Sequence, residues 1–218
     1  MSVLVVGATG QTGRRIVTEL VSQDIAVKAL VRDSQKAKEI LPEAAEILVG
    51  DVLKPETIKS AIAGCNTIIC ATGAAPSLDF TQPYLVDFQG TKNLVDLAKE
   101  KGIDRFIIVS SLCVSKFFHP LNLFWLVLYW KKQAEAYIQQ SGLTYTIVRP
   151  GGLKNEDNDD RIVAATADTL FEGSIPRQKV AQVCVAALSQ TSAENKIIET
   201  VAKPDAEAKS WEQLFTNA

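Results

Sequence analysis

Val3-Leu-Val-Val-Gly-Ala-Thr-Gly-Gln-Thr-Gly13-Arg-Arg-Ile-Val17 is a short apolar run that ends in Gly7, Gly10 and Gly13 and continues into an amphipathic stretch. The pattern predicts a strand, a tight turn and a helix. The first glycine permits the turn, the second lets backbone approach a pyrophosphate, and the third lets helix and strand pack closely. Free N–H groups at the helix N-terminus then meet the phosphates. This makes Gly7, Thr9, Gly10, Gln11, Thr12 and Gly13 candidate dinucleotide contacts.

The rest of the chain is the right size to complete that fold and little more. With 218 residues, 47% of them hydrophobic, it suits one α/β domain over 1–218, with a nucleotide half to about residue 75 and a substrate half over 76–218. A net charge of −2 with no run of lysine and arginine excludes a nucleic-acid footprint. The four cysteines, Cys65, Cys70, Cys113 and Cys184, fit no metal-binding spacing, and no metal is expected. They read as reduced core thiols, which predicts a reducing, cytoplasmic compartment. Met1 leads directly into the first strand, so no signal peptide is expected.

Strand and helix patterns alternate, which predicts a doubly wound parallel sheet of the Rossmann type. Strands are expected near 2–7, 25–31, 46–49, 67–71, 105–110, 144–149 and 196–201. Helices are expected near 11–23, 34–41, 55–63, 84–101, 122–141, 178–190 and 208–216. Ligands of such sheets bind at the carboxyl ends of the strands.

Each strand tip then suggests a contact. The second ends in Arg32-Asp33-Ser34, where Arg32 can pair with a ribose 2′-phosphate in fork geometry with Ser34 assisting, which favours NADP over NAD. Asp33 argues the other way. After the third strand, Asp51 is placed to accept from the adenine amine and Val52 to pack on the ring, unless Asp51 only caps a helix. The fourth strand runs into Ala71-Thr72-Gly73-Ala74-Ala75, small enough for a cofactor to lie against backbone. The fifth ends in Ser110-Ser111 and the sixth in Pro150, and both tips should border the nicotinamide.

These blocks, together with Val86-Asp-Phe-Gln-Gly-Thr-Lys-Asn93 and Ser141-Gly-Leu-Thr-Tyr-Thr-Ile-Val-Arg-Pro-Gly151, resemble the atypical short-chain dehydrogenase/reductases of the NAD(P)H-binding type. The early blocks are similar to biliverdin-IXβ/flavin reductase and the later ones to the chloroplast Tic-type NADP-binding domain. The resemblance implies NADP binding and no single substrate. It also implies a Y-x-x-x-K pair, in which the lysine holds the nicotinamide ribose and the tyrosine moves a proton. The matching lysine is Lys131, with Glu135 at the usual interval, and the tyrosine position is then Val127. Tyr129 is three residues from Lys132 and offers a shifted Y-x-x-K, and the single histidine, His119, is an alternative acid.

Loss of a positioned acid or base costs about 10²–10⁴ in rate. That burden is heavy for a ketone and lighter for a flavin, quinone or tetrapyrrole-like acceptor, which stabilises its own charge. Ser110 or Ser111 then suffices as a hydrogen-bond donor, with Lys131 as the third catalytic candidate. The alternative is a redox sensor or assembly factor that binds NADP without turnover.

Residues 117–130 combine six aromatics with leucine and valine, apolar on every face of a helix. Such a helix is buried or interfacial, and 14 residues are too few to span a bilayer, which needs about 20. Three readings stand: core packing around a greasy acceptor pocket, an interface with a second copy or another protein, and shallow docking on a membrane. The acidic run Asn155–Arg161 reads as a solvated loop.

Overall fold

The computed structural model describes residues 1–74 and 77–218. Ala75, counted above among the small residues after the fourth strand, lies outside them. The elements in chain order are β1 (Ser2–Val6), α1 (Gly13–Ser22), β2 (Ala26–Val31), α2 (Ser34–Ile40), β3 (Glu46–Val49), α3 (Pro55–Ala61) and β4 (Thr67–Cys70). There follow a π-helical stretch Pro83–Gln89, α4 (Gly90–Lys101), β5 (Arg105–Val109), a 3₁₀ turn Pro120–Leu123, α5 (Val127–Gln139) and β6 (Thr144–Pro150). The last are β7 (Gly152–Lys154), β8 (Arg161–Thr166), β9 (Ser174–Pro176), α6 (Arg177–Ala186), β10 (Lys196–Lys203) and α7 (Trp211–Thr216).

β1 decides the layering. Val3 and Val5 point into one buried cluster, with Ile16, Val17 and Leu20 of α1 and Val180, Ala181 and Cys184 of α6. Leu4 and Val6 point into the other, with Ile58 of α3, Leu94 and Ala98 of α4 and Ile138 of α5. A strand buried on both faces carries helices on both sides, which is why it reads as an unbroken apolar run.

The main sheet has the order β3-β2-β1-β4-β5-β6-β10-β8 and is parallel except for β8, which runs antiparallel to β10. The chain winds outward from β1 in one direction and then returns to β4 on its other side. This topological switch leaves a crevice at the carboxyl ends of β1 and β4, where such folds bind ligands.

Three strands have no counterpart in the sequence reading. β7 and β9 form a separate two-stranded parallel pair, and each has only three residues, too short to display a period. β8 is a half-exposed edge strand that follows the acidic run.

The expected helix over 122–141 is also corrected, because it begins at Val127. Residues 117–126 form a loop with a 3₁₀ turn, and Trp125 and Leu126 have φ of 55° and 60°. Asn122 organises it: its amide nitrogen donates to the Phe117 carbonyl at 2.7 Å, and its oxygen accepts from the amides of Leu128 and Tyr129 at 2.9 and 3.2 Å. That side chain replaces the missing cap of α5. Core packing is overturned for this loop, since Phe118 is 95% and Leu123 81% exposed. Only with Leu128, 1% exposed, does the segment enter the interior.

Candidate nucleotide site

The glycine turn follows the packing logic of its spacing. Gly7 has φ +78° and lies so close to β4 that a Cβ would sit 2.8 Å from the Ala71 carbonyl oxygen. At Gly13 a Cβ would fall 2.1 Å from the Gly7 carbonyl oxygen, so the start of α1 can rest on the turn only without a side chain. Gly10 is exposed and donates its amide to the Gly7 carbonyl at 2.9 Å.

Beyond that bond, the amides of Gln11, Thr12 and Gly13 find no acceptor among the described residues, and the Thr12 side chain caps nothing. A helix start with orphaned donors, approached through glycine, fits a pyrophosphate. Arg14 donates to the Gln11 side chain at 2.6 Å and Arg15 to its carbonyl at 2.7 Å, which holds two cations beside the turn. The sequence reading assigned these arginines no role.

The other tips lie in register beside it. Val6 pairs with Leu30 on β2 and with Cys70 on β4, and Val31 pairs with Val49 on β3. Arg32 emerges exposed from β2 and Ser34 is half-buried. Asp33 is occupied as the cap of α2, accepting from the amides of Gln35 and Lys36 at 3.0 and 3.2 Å. Asp51 accepts from the Leu53 amide at 2.9 Å in a local turn, while the cap position of α3 belongs to Lys54. The Val52 carbonyl accepts from Asn93 at 2.8 Å, which ties this tip to α4.

At the switch point the chain brings together Thr72, Gly73, Asp87 and Lys131. Lys131 pairs with Asp87 at 2.7 Å, and the same carboxylate accepts from the Ala74 amide at 3.2 Å. A Cβ on Gly73 would stand 3.8 Å from the Asp87 carboxylate and 3.9 Å from the Lys131 ammonium. Asp87 is 3% exposed and comes from the π-helical stretch. It lies within a quoted block, but no periodicity signals a π-turn, and its role was missed.

Burial by itself pushes the Lys131 ammonium down, but the Asp87 carboxylate, with smaller contributions from Cys70 and Glu135, reverses this and holds its pKa above the ordinary lysine value. Lys131 is therefore a fixed cation at neutral pH. Val127, one turn before it, is half-buried beside the Leu112, Val114 and Leu128 cluster. Beneath it, burial raises the Cys70 thiol against a smaller opposing hydrogen bond from Thr72.

The serine pair divides. Ser110 is 7% exposed and donates to Glu135 at 2.5 Å, so its proton is already committed. Glu135 is bound in turn by Arg149 through Nε at 3.1 and 3.2 Å and Nη2 at 2.7 Å. Ser111 is half-buried and has no part in this network. Pro150 closes β6 beside it, its carbonyl accepting from the Leu112 amide at 3.0 Å. Burial lowers the Arg149 pKa, but Glu135, Asp168 and Glu199 together raise it above the usual arginine value.

Tyr129 is not part of the Lys131 cluster. It lines a separate cavity with Lys132. His119 Nδ1 accepts from the Leu121 amide at 3.2 Å and caps the 3₁₀ turn. In the acidic run, Asp157 pairs with Lys179 at 3.4 Å.

A glycine turn with orphaned amides, at the switch point of this sheet, meets a family model described as NAD(P)H-binding that matches residues 7–191. The chain belongs to the NAD(P)H-binding family. Among its relatives, an uncharacterised chloroplastic protein of Arabidopsis thaliana is 44% identical over 99% of the chain and 81% of that protein. The chloroplastic protein TIC 62 of Pisum sativum is 37% identical over 98% of the chain but only 45% of that protein. Sanguinarine reductase of Eschscholzia californica is 31% identical over 99% of the chain and 95% of that enzyme. Among solved structures, a putative NAD-dependent epimerase/dehydratase from Bacillus halodurans superposes with a TM-score of 0.88 at 28% identity, and each chain is covered completely. No helix among the described residues is long and apolar enough to cross a membrane.

Proposed function

We infer that this NAD(P)H-binding protein is an NADPH-dependent reductase of a flat acceptor such as a flavin, quinone or tetrapyrrole. The observation that carries the reading is Lys131, locked as a cation against buried Asp87 and beside Gly73, with a valine where an acid would stand. NADPH when bound supplies the hydride. Lys131 binds the nicotinamide ribose, Thr72 and Gly73 receive the ring against backbone, and Ser111 orients the acceptor. The proton comes from solvent. Gln11, Thr12 and Gly13 bind the pyrophosphate, Asp51 and Val52 the adenine, and the half after residue 75 carries the acceptor.

NADP is preferred because Arg32 is exposed at the β2 tip while its acidic neighbour is occupied in capping α2. The name of the Bacillus halodurans structure favours NAD and a different reaction. NADPH oxidation by the purified protein against a panel of flavins, quinones and tetrapyrroles, with NADPH and NADH affinities from the same sample, tests the reading. Turnover with tighter NADPH binding is expected. Absence of turnover across the panel overturns it, and equal affinities overturn the cofactor preference.

A second reading rests on Phe118, Leu123 and Phe124, exposed on one loop. It is a non-catalytic NADP sensor or assembly factor that presents residues 117–126 to a protein, to a second copy or to a membrane surface. Four free cysteines, three of them buried, fit a reducing compartment. The cytoplasm is the reading from sequence, and the chloroplastic relatives supply its competitor.

A further inference from the structure

Between the loop after β5 and the first turns of α5 lies a cavity of about 160 Å³, lined by Val114, Ser115, Phe117, Tyr129, Lys132 and Gln133 along with Asn122. It opens beside Lys131 in sequence and four residues beyond Ser111, yet none of its lining residues belongs to the nucleotide site. We propose that it binds a single aromatic ring carrying an anionic group.

Size sets the first limit. An engineered apolar cavity of roughly 150 Å³ holds one benzene, so this one has room for one six-membered ring. The walls suit a ring: Phe117 meets Tyr129 edge to face with centroids 6.2 Å apart, and Trp130 backs Tyr129 at 5.0 Å.

The polar groups set the charge. Lys132 offers three N–H donors and no acceptor, and Tyr129 adds a hydroxyl, while the Ser115 hydroxyl is engaged by Asp168. Among the described residues neither the Lys132 ammonium nor the Tyr129 hydroxyl has a hydrogen-bond or ion-pair partner. Asn122 contributes nothing further, because its amide already bridges Phe117 to α5. The carboxylate whose charge Lys132 reaches is Asp168, which is held by Arg149 at 2.9 Å. A set dominated by donors, one of them a full cation, selects a carboxylate or sulfonate over a neutral group of the same shape.

That the ring belongs to a hydride acceptor rests on the reductase reading. Binding itself does not, and it is tested without turnover. Benzoate and benzamide are near-isosteric and differ in charge, so their dissociation constants are measured by ligand-observed NMR on the full chain, with and without NADP. Benzoate is expected to bind in the low-millimolar range and about fivefold more tightly than benzamide. Lys132→Gln should erase the preference and Tyr129→Phe should weaken benzoate severalfold, while NADP binding by both variants reports that they are folded. Equal affinity for the two probes, a preference that survives Lys132→Gln, or no binding of either up to about 20 mM overturns the proposal. Benzoate selectivity in a protein that reduces nothing in the panel would leave the cavity assignment standing and overturn only the reductase reading.

Discussion

At the scale of single residues, the chemistry is concentrated in charges whose partners are now visible. Lys131 and Asp87 form a pair at 2.7 Å. Lys131→Met is expected to lower kcat/KM for NADPH oxidation about 100-fold, the scale of a misplaced reactant, while NADPH affinity falls far less. Steady-state kinetics and fluorescence titration check this. The same pair carries a pH signature. Because the folded-state pKa of Lys131 is raised above 10.5, its stabilisation is complete below that pH and decays as pH climbs through the raised value. The stability gap between wild type and Lys131→Met should therefore narrow in alkali, which urea unfolding across that range measures. Arg32→Ala is expected to weaken NADPH binding about 10- to 100-fold, the worth of a hydrogen bond to a charged group. NADH affinity should stay the same, and a parallel loss of both would remove Arg32 from the 2′-phosphate. Asp87 shows how far reading by residue type reaches. Its block was recognisable, but the contact with Lys131 joins positions 44 apart and depends on a π-turn that no spacing announces.

Elements add constraints that single residues do not carry. The turn from β1 to α1 tolerates no side chain at Gly13, where a Cβ would lie 2.1 Å from the Gly7 carbonyl oxygen. Gly13→Ala is expected to destabilise the fold by about 1–3 kcal/mol, as overpacking does, and to abolish nucleotide binding by shifting the start of α1. Thermal unfolding and NADPH titration on one sample check both. The loop before α5 behaves in the opposite way. Phe118 and Leu123 are almost wholly exposed, so Phe118→Ser with Leu123→Ser should change stability by less than about 0.5 kcal/mol. If the docking reading holds, the double variant loses association with vesicles, a partner or a second copy, measured by co-sedimentation and size-exclusion chromatography. An apolar run with no periodicity of its own extended this helix five residues too far toward the N-terminus. Pro120, the Asn122 cap and two left-handed residues interrupt it, and a side-chain cap reaching across six positions has no hydropathy signature.

For the whole molecule, Arg149 joins α5 to β6, β10 and the turn after β8. It binds Glu135, Glu199 and Asp168, and it is 4% exposed. Glu199 is 0% exposed and also accepts from the amides of Asp168, Thr169 and Leu170 at 2.9, 3.0 and 2.7 Å. Arg149→Met leaves two buried carboxylates without their cation and is expected to cost about 3–5 kcal/mol. Lysine should rescue little, because it lacks the planar fork that grips Glu135. Urea midpoints for the two variants check this, and a loss below about 1 kcal/mol would remove the network from the core. By itself the sequence determined the doubly wound parallel sheet and the glycine turn, since these depend on local period, glycine spacing and apolar runs. Only the tertiary structure decided that Ser110 faces Glu135, that Asp87 holds Lys131, that Tyr129 shares a cavity with Lys132, and that the aromatic segment is an exposed loop. The two charge contacts join positions 25 and 44 apart, and the cavity and the loop depend on how the elements pack, so none of the four leaves a period in the chain.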